Sequence, residues 1–209
     1  MIGRLLGWAK HWLGIVRRPS VHYSLGFLTI GGFIGGVLFW GGFNTAMEAT
    51  NTEQFCTGCH EMRDNVYAEF KGSIHDLNRS GVRAVCADCH VPREPVPMLW
   101  RKVKASLEVW GHLTGKINTK EKFEQHRYQL AKNVWTAMIR NDSHECRNCH
   151  KSDSMSSELQ SEKARARHAK ARAENTTCIM CHFGIAHREP DGPGPQELPE
   201  FEKTKAVKQ

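Results

Sequence analysis

The sequence predicts a mainly α-helical protein with long loops, in which one N-terminal transmembrane helix precedes a small domain. Three observations support this fold class. One stretch, residues 21–43, has no Asp, Glu, Lys or Arg. The rest of the chain contains four short motifs with two cysteines each, and its few helical patterns are separated by segments rich in Gly, Pro and polar residues. A domain of about 160 residues with so few aliphatic side chains needs covalent or metal staples.

The uncharged stretch 21–43 has the length and composition of a membrane-spanning helix. As an α-helix it would extend about 35 Å, which is enough to cross a bilayer. A cleaved signal peptide would have a shorter apolar region and a clear small-residue cleavage site. Four basic residues precede the stretch and acidic residues follow it. The positive-inside rule therefore predicts a cytoplasmic basic segment 1–20 and a single-pass anchor in a bacterial inner membrane, with the following domain in the periplasm.

Glycine spacing within the anchor bears on self-association. Gly31 with Gly35, and Gly32 with Gly36, form two overlapping Gly-x-x-x-Gly patterns. This spacing lets membrane helices approach closely and favours a homodimer through the anchor. Glycine is also common in membrane helices in general, so the pattern is equally compatible with a single copy.

The motif Cys-x-x-Cys-His occurs four times and uses all eight cysteines. It predicts four covalently bound haem c groups, because two thiols form thioethers to one haem and the adjacent imidazole can bind its iron. Zinc sites and redox disulfides also use Cys-x-x-Cys, but neither requires a histidine directly after the second cysteine. The haems would then form the core of the domain. The attachment residues are Cys56, Cys59, His60, Cys86, Cys89, His90, Cys146, Cys149, His150, Cys178, Cys181 and His182.

The spacing of the motifs predicts the organisation of the domain. Their first cysteines are separated by 30, 60 and 32 residues, so the motifs fall into two pairs with similar internal spacing. Two dihaem halves joined by helices are therefore expected, followed by a disordered tail rich in Pro and acidic residues. The predicted ranges are 48–188 for the whole domain, about 48–97 and 140–188 for the halves, 98–139 for the joining helices, and 189–209 for the tail.

The charge of the chain argues against nucleic-acid binding. The formal net charge is +7, but four of the 29 basic residues precede Glu48, which leaves 25 basic against 22 acidic residues. A nucleic-acid interface would gather basic and aromatic residues on one face. A polar helix predicted over 156–173 mixes its charges, a pattern that usually indicates a solvated surface.

Additional ligands are needed if each haem iron has two axial ligands, as in most electron carriers. His11 and His22 lie on or beside the anchor, and His126 lies on an ordinary amphipathic helix. The histidines that remain are His75, His112, His144, His168 and His187. Met62, two residues after His60, is a further candidate, and a methionine ligand raises the potential relative to two histidines. An arbitrary methionine is more often a packing residue.

The anchor and the segments CTGCHEM, CADCHVP, SHECRNCH and CIMCHFGIAH resemble the NapC/NirT family of tetrahaem quinol dehydrogenases over about residues 15–188. The resemblance implies that membrane quinol is the substrate and that four haems pass its electrons to a periplasmic reductase. It further implies that the partner is the dihaem subunit of periplasmic nitrate reductase.

The same resemblance implies a set of iron ligands. Met62 would serve the first haem, so His60 is an attachment residue whose binding to iron is open. The remaining pairs would be His90 with His187, His150 with His75, and His182 with His144. Spacing alone does not exclude His112 or His168 in place of an assigned ligand.

The family places a lysine and a carboxylate for quinol just after the second motif, where this chain has Lys102, Lys104 and Glu108. The family register favours Lys102 with Glu108. Helical geometry favours Lys104 with Glu108, because residues i and i+4 share a face. A solvated helix with an unimportant ion pair would show the same three charges.

Other functions also fit the motifs. A membrane-tethered electron relay could pass electrons between proteins without a quinol site, or the protein could donate electrons to a nitrite reductase or another periplasmic reductase. A terminal reductase of nitrite would need a haem that binds substrate directly, and the chain has no Cys-x-x-Cys-Lys motif to mark one.

Overall fold

The structure, a computed structural model, describes residues 7–8, 10–12 and 20–199. The chain divides into two compact units, Met1–Glu48 and Ala49–Gln209. No strand occurs among the described residues, in agreement with the predicted mainly α fold. Most of the predicted cytoplasmic segment 1–20 and the last ten residues of the predicted tail lie outside the described residues.

Helix α1, Leu25–Ala49, is long and apolar enough to cross a membrane. It begins four residues later than the predicted span because the Ser24 hydroxyl accepts a hydrogen bond from the Phe27 N–H, as an N-cap does. It continues past residue 43, where the side chains of Asn44 and Thr45 donate to carbonyls one turn earlier in the helix. None of its side chains is buried, which suits a helix that lipid would surround.

The second unit consists of short helices and two longer ones. Its α-helices are α2 (Glu53–Cys56), α3 (Ala68–Phe70), α4 (Cys86–His90), α5 (Pro95–Leu113), α6 (Lys120–Arg140), α7 (His144–Arg147) and α8 (Glu162–Ala173). A π-helical segment, Met62–Tyr67, leads into α3, and three short 3₁₀ turns occupy Ser152–Ser154, Cys178–Met180 and Pro195–Glu197. Thr119 caps α6 by accepting from the Lys122 N–H, and a proline begins α5.

Protein side chains alone build only a small core in this unit. It joins α6 to the turn of the fourth motif and to the C-terminal turn, through Trp135, Met138, Ile139, Ile179, Met180 and Leu198. Large apolar side chains of α5 stay exposed, among them Trp100, Leu107 and Trp110. This imbalance fits a domain in which haem supplies most of the apolar core.

The segment 189–199 differs from the predicted disorder. Leu198 is only 4% exposed, and Pro195 is fully buried. The Gln196 amide donates to the Met180 carbonyl at 2.8 Å. Composition predicted disorder because the run is rich in Pro and acid, but its few apolar side chains pack against the turn of the fourth motif.

Candidate functional site

The four Cys-x-x-Cys-His motifs lie next to one another in chain order. The side chains of Cys56 and Cys86 lie next to each other, which places the first motif against the second. The side chains of Cys146 and Cys178 lie next to each other in the same way at the third and fourth motifs. Helix α4, which is the second motif, contacts both α2 and α7, so the second and third motifs are neighbours as well. None of the eight cysteines forms a disulfide.

Each motif histidine faces the ring of one histidine from outside the motifs. The ring centroids are 6.0 Å apart in His60/His112 and 6.1 Å apart in His75/His150, His90/His187 and His168/His182. Imidazole–metal bonds are about 2 Å long, so two of them plus the two ring radii come to about 6 Å. The four spacings therefore fit one iron between each pair.

Three of the four outer histidines are held through Nδ1. Such a contact fixes the tautomer and leaves Nε2 available to a metal. The contacts are His112 Nδ1 to Glu61 Oε1 at 2.5 Å, His168 Nδ1 to Gln160 Oε1 at 2.7 Å, and His187 Nδ1 to the Val66 carbonyl at 3.0 Å. This arrangement is typical of metal-binding histidines, and it fits haem iron.

Burial keeps several of these imidazoles neutral, the protonation state in which histidine binds metal. Burial, assisted by His187, lowers the pKa of His90 to about 4. Burial also lowers the pKa of His187, against the opposing hydrogen bond to Val66. The pKa values of His75 and His182 are lowered by burial first and then by the histidine that each faces.

The first centre differs from the ligand set that the resemblance implied. The ring that faces His60 belongs to His112, while Met62 is 42% exposed at the start of the π-helical segment. Glu61 is 3% exposed, and its Oε1 lies 3.5 Å from His60 Nε2 as well as against His112. Burial opposes ionisation of Glu61, but the hydrogen bond from His112 prevails and lowers the pKa of the carboxyl. Glu61 was not among the residues predicted from the sequence, although it directly follows His60.

The fourth centre also differs from the implied set. His182 faces His168 rather than His144. His144 opens α7, and its Nε2 lies 2.8 Å from Glu94 Oε1. His168 reaches the centre because α8 turns one face inward, on which Ala164, His168 and Ala171 are partly buried while the remaining residues of the helix are exposed.

The three residues predicted for quinol do not come together. Glu108 pairs with Arg101 at 3.0 Å, and its side chain is 57% exposed. The Lys104 ammonium lies over the Trp100 ring at 5.5 Å. Neither predicted pairing, Lys102 with Glu108 or Lys104 with Glu108, is therefore formed.

Lys102 is directed towards the start of the domain instead. Its Nζ donates to Thr50 Oγ1 at 2.6 Å and to Asn51 Oδ1 at 2.7 Å. These two residues follow the apolar helix directly in the chain. Burial lowers the pKa of Lys102, and Cys56 of the first motif lies nearby. Thr50 and Asn51 carried no sequence signal.

Known proteins resemble this chain over most of its length. The family model described as "NapC/NirT cytochrome c family, N-terminal region" matches residues 18–192. "Denitrification system component NirT" of Stutzerimonas stutzeri is 57% identical over 180 residues, which cover 86% of this chain and 90% of the relative. "Cytochrome c-type protein NapC" of Paracoccus pantotrophus is 54% identical over 192 residues, which cover 90% and 81%.

A more distant relative names the number of haems. A protein of Allochromatium vinosum, described as a tetraheme cytochrome of the c type, is 43% identical over 185 residues, which cover 88% of this chain and 97% of the relative. No solved structure matches significantly. With its four attachment motifs and apolar N-terminal helix, the chain belongs to the NapC/NirT family of c-type cytochromes.

Proposed function

We propose that this protein is a membrane-anchored quinol dehydrogenase, which oxidises membrane quinol and passes the electrons to a periplasmic reductase. The observation that carries the proposal is the position of Lys102, bonded to Thr50 and Asn51 beside the first motif. Bound haem c would supply one-electron redox chemistry. The expected acceptor is the dihaem subunit of periplasmic nitrate reductase, as the family resemblance implies.

The iron ligands are proposed from the facing rings. We assign each motif histidine to one face of its haem and the outer histidine to the other. The pairs are His60 with His112, His90 with His187, His150 with His75, and His182 with His168. In this assignment Met62 is a neighbour of the first centre rather than its ligand, and His144 is a surface residue paired with Glu94.

The chemistry at the quinol site would come from hydrogen bonding. A quinol gives up two protons with its two electrons, so groups that hold its hydroxyls and accept protons must lie within hydrogen-bond reach. Lys102 and Asn51 offer a donor and an acceptor for one hydroxyl. Lys102 is an ammonium and Asn51 a neutral amide, so neither would take up the protons, which would leave through water within hydrogen-bond reach of the hydroxyls.

Orientation of the anchor follows from charge. Four basic residues precede the helix and none lies close after it. The N-terminus would therefore lie in the cytoplasm and the haem domain in the periplasm.

The test measures reduction of the haem-loaded full-length protein by a soluble quinol analogue, without any partner protein, in an anaerobic stopped-flow instrument. Lys102→Gln should slow reduction by about tenfold, the effect of losing one well-placed hydrogen bond in the transition state. Lys104→Gln is the matched control on the same helix and should reduce at the wild-type rate, and dithionite should reduce all three proteins fully. Equal rates for Lys102→Gln and wild type would contradict this quinol site.

A relay without a quinol site is the second candidate. It is favoured by the facing rings at all four motifs, because six-coordinate haems are typical of pure electron carriers. A relay would be reduced by dithionite but not by quinol in the same assay. If histidines occupy both faces of each haem iron, no position is open for substrate. The four facing pairs therefore count against a terminal reductase.

A further inference from the structure

Helix α8 carries a concentration of positive charge that the proposed function does not use. It contains five basic residues and one acidic residue, whereas the rest of residues 48–209 contains 20 basic and 21 acidic residues. The net positive charge of the domain therefore resides entirely on this one helix. Its five cations are Lys163, Arg165, Arg167, Lys170 and Arg172.

These cations point outward. All five are exposed, while the face with Ala164, His168 and Ala171 is partly buried. Within the part of the chain that the structure describes, Lys170 contacts Glu174 at 3.8 Å, and the other four cations make no ion pair. Four unpaired cations distributed around the exposed surface of this helix create a positive field that attracts acidic surfaces and speeds their encounter.

The same helix forms one wall of the fourth centre. His168 faces His182 of the last motif with ring centroids 6.1 Å apart, and its Nδ1 is held by Gln160. A protein bound to the outer face of α8 would lie one helix diameter, about 10 Å, from this centre. The positively charged helix therefore lies beside the fourth motif, the last of the four.

We propose that α8 is the docking surface for the acidic face of a periplasmic redox partner, which receives electrons next to the fourth motif. The inference rests on the proposed function, since it specifies how the acceptor is recognised. An anionic membrane surface is the less favoured occupant. A helix that lies on a membrane needs large apolar side chains on one face, and α8 has only alanines between its charged residues and His168.

The test compares binding of the dihaem subunit of periplasmic nitrate reductase from the same bacterium to three forms of the haem-loaded full-length protein in nanodiscs. One is wild type and one is the triple variant Arg165→Gln, Arg167→Gln and Arg172→Gln. The third is a matched control that removes three exposed cations elsewhere, Arg79→Gln, Lys116→Gln and Lys120→Gln. Calorimetry at low and at physiological salt gives the affinities, and the visible spectrum checks that all haems stay bound.

The α8 variant should bind at least about tenfold more weakly at low salt and should lose most of its salt dependence, because both come from the helix charges. The control should stay within about twofold of wild type. Equal affinities for wild type and the α8 variant would overturn the proposal. So would absence of binding by wild type at low salt, or an equal loss in the control.

Hydrogen exchange then locates the interface and separates the two occupants. Protection of residues 162–173 by the partner in neutral-lipid nanodiscs supports the docking surface, whereas protection that requires anionic lipid and not the partner overturns it. Quinol reduction of the same proteins is measured independently. If quinol reduces none of them but the α8 variant still binds weakly, the proposed function fails and the docking surface stands.

Discussion

Nδ1 of His112 lies 2.5 Å from Oε1 of Glu61, across 51 residues of sequence, and Glu61 is almost completely buried. A carboxylate on the Nδ1 side of a metal-binding histidine orients the ring and makes it a stronger ligand. It also brings a negative charge close to the first centre, which favours ferric over ferrous iron. Glu61 is thus a positioning residue for the proposed ligand His112.

Glu61→Gln should raise the reduction potential of the first haem. Glutamine keeps an acceptor for His112 but removes the negative charge, so the ferric state loses stabilisation. We expect an upward shift on the order of 60 mV, which equals a tenfold change for a one-electron couple. Optical redox titration of the four haems measures it. Glu94→Gln, at the His144 contact outside the ring pairs, is the control, and an equal shift in both variants would contradict the role of Glu61.

His168→Leu should open one axial position at the fourth haem, whereas His144→Leu should leave it filled. In the structure the ring of His168 faces that of His182, whereas His144 contacts Glu94. Electron paramagnetic resonance of the oxidised proteins should show one new high-spin haem in the first variant and none in the second. The reverse result would restore the ligand set that the family resemblance implied.

The predictable part of this molecule lies in contiguous residues. The four attachment motifs and the apolar helix are local patterns, and the family match follows from them. The outer histidines were harder to assign because the groups they contact are distant in sequence, as His187 and Val66 are, which lie 121 positions apart. Spacing could not separate His168 from His144, since the choice depends on the face that α8 turns inward. Lys102 was identified, but its contacts with Thr50 and Asn51 depend on tertiary packing.

Ser143→Ala should destabilise the contact between the segments that carry the third and fourth motifs. Ser143 is fully buried with a left-handed backbone (φ 50°), and its Oγ accepts from the Thr177 hydroxyl at 2.6 Å and from the Ile179 N–H at 3.1 Å. Alanine would leave both donors unsatisfied, at a cost of about 1–3 kcal/mol in the free energy of unfolding. Thermal unfolding followed by circular dichroism measures the loss. Ser154→Ala, at an exposed site, should unfold at the wild-type temperature.

Glu69→Gln should lower stability at neutral pH and matter much less in acid. Arg127 is 7% exposed at its side chain and makes a two-point contact with Glu69, at 2.6 and 3.0 Å. The Glu69 carboxylate also accepts from the Arg188 N–H, next to the proposed ligand His187. Removing the negative charge would leave the buried guanidinium with Glu124, at 2.9 and 3.0 Å, as its remaining carboxylate partner, so the expected cost is that of the lost charged hydrogen bonds, about 1.5–3 kcal/mol.

The sign of the pH dependence follows from the direction of the shift. Burial tends to raise the pKa of Glu69, but the hydrogen bonds and charges of Arg127 and Arg188 outweigh it, so the pKa lies below its ordinary 4.5. The carboxylate therefore contributes its full stabilisation above about pH 4.5 and loses it as the pH falls through the lowered folded-state value. Urea unfolding at pH 7 and at pH 3 should show a large difference between wild type and Glu69→Gln that narrows in acid. Glu158→Gln, at an exposed position, should match wild type at both pH values, and a Glu69→Gln deficit that persists undiminished at pH 3 would rule out the ion pair as its cause.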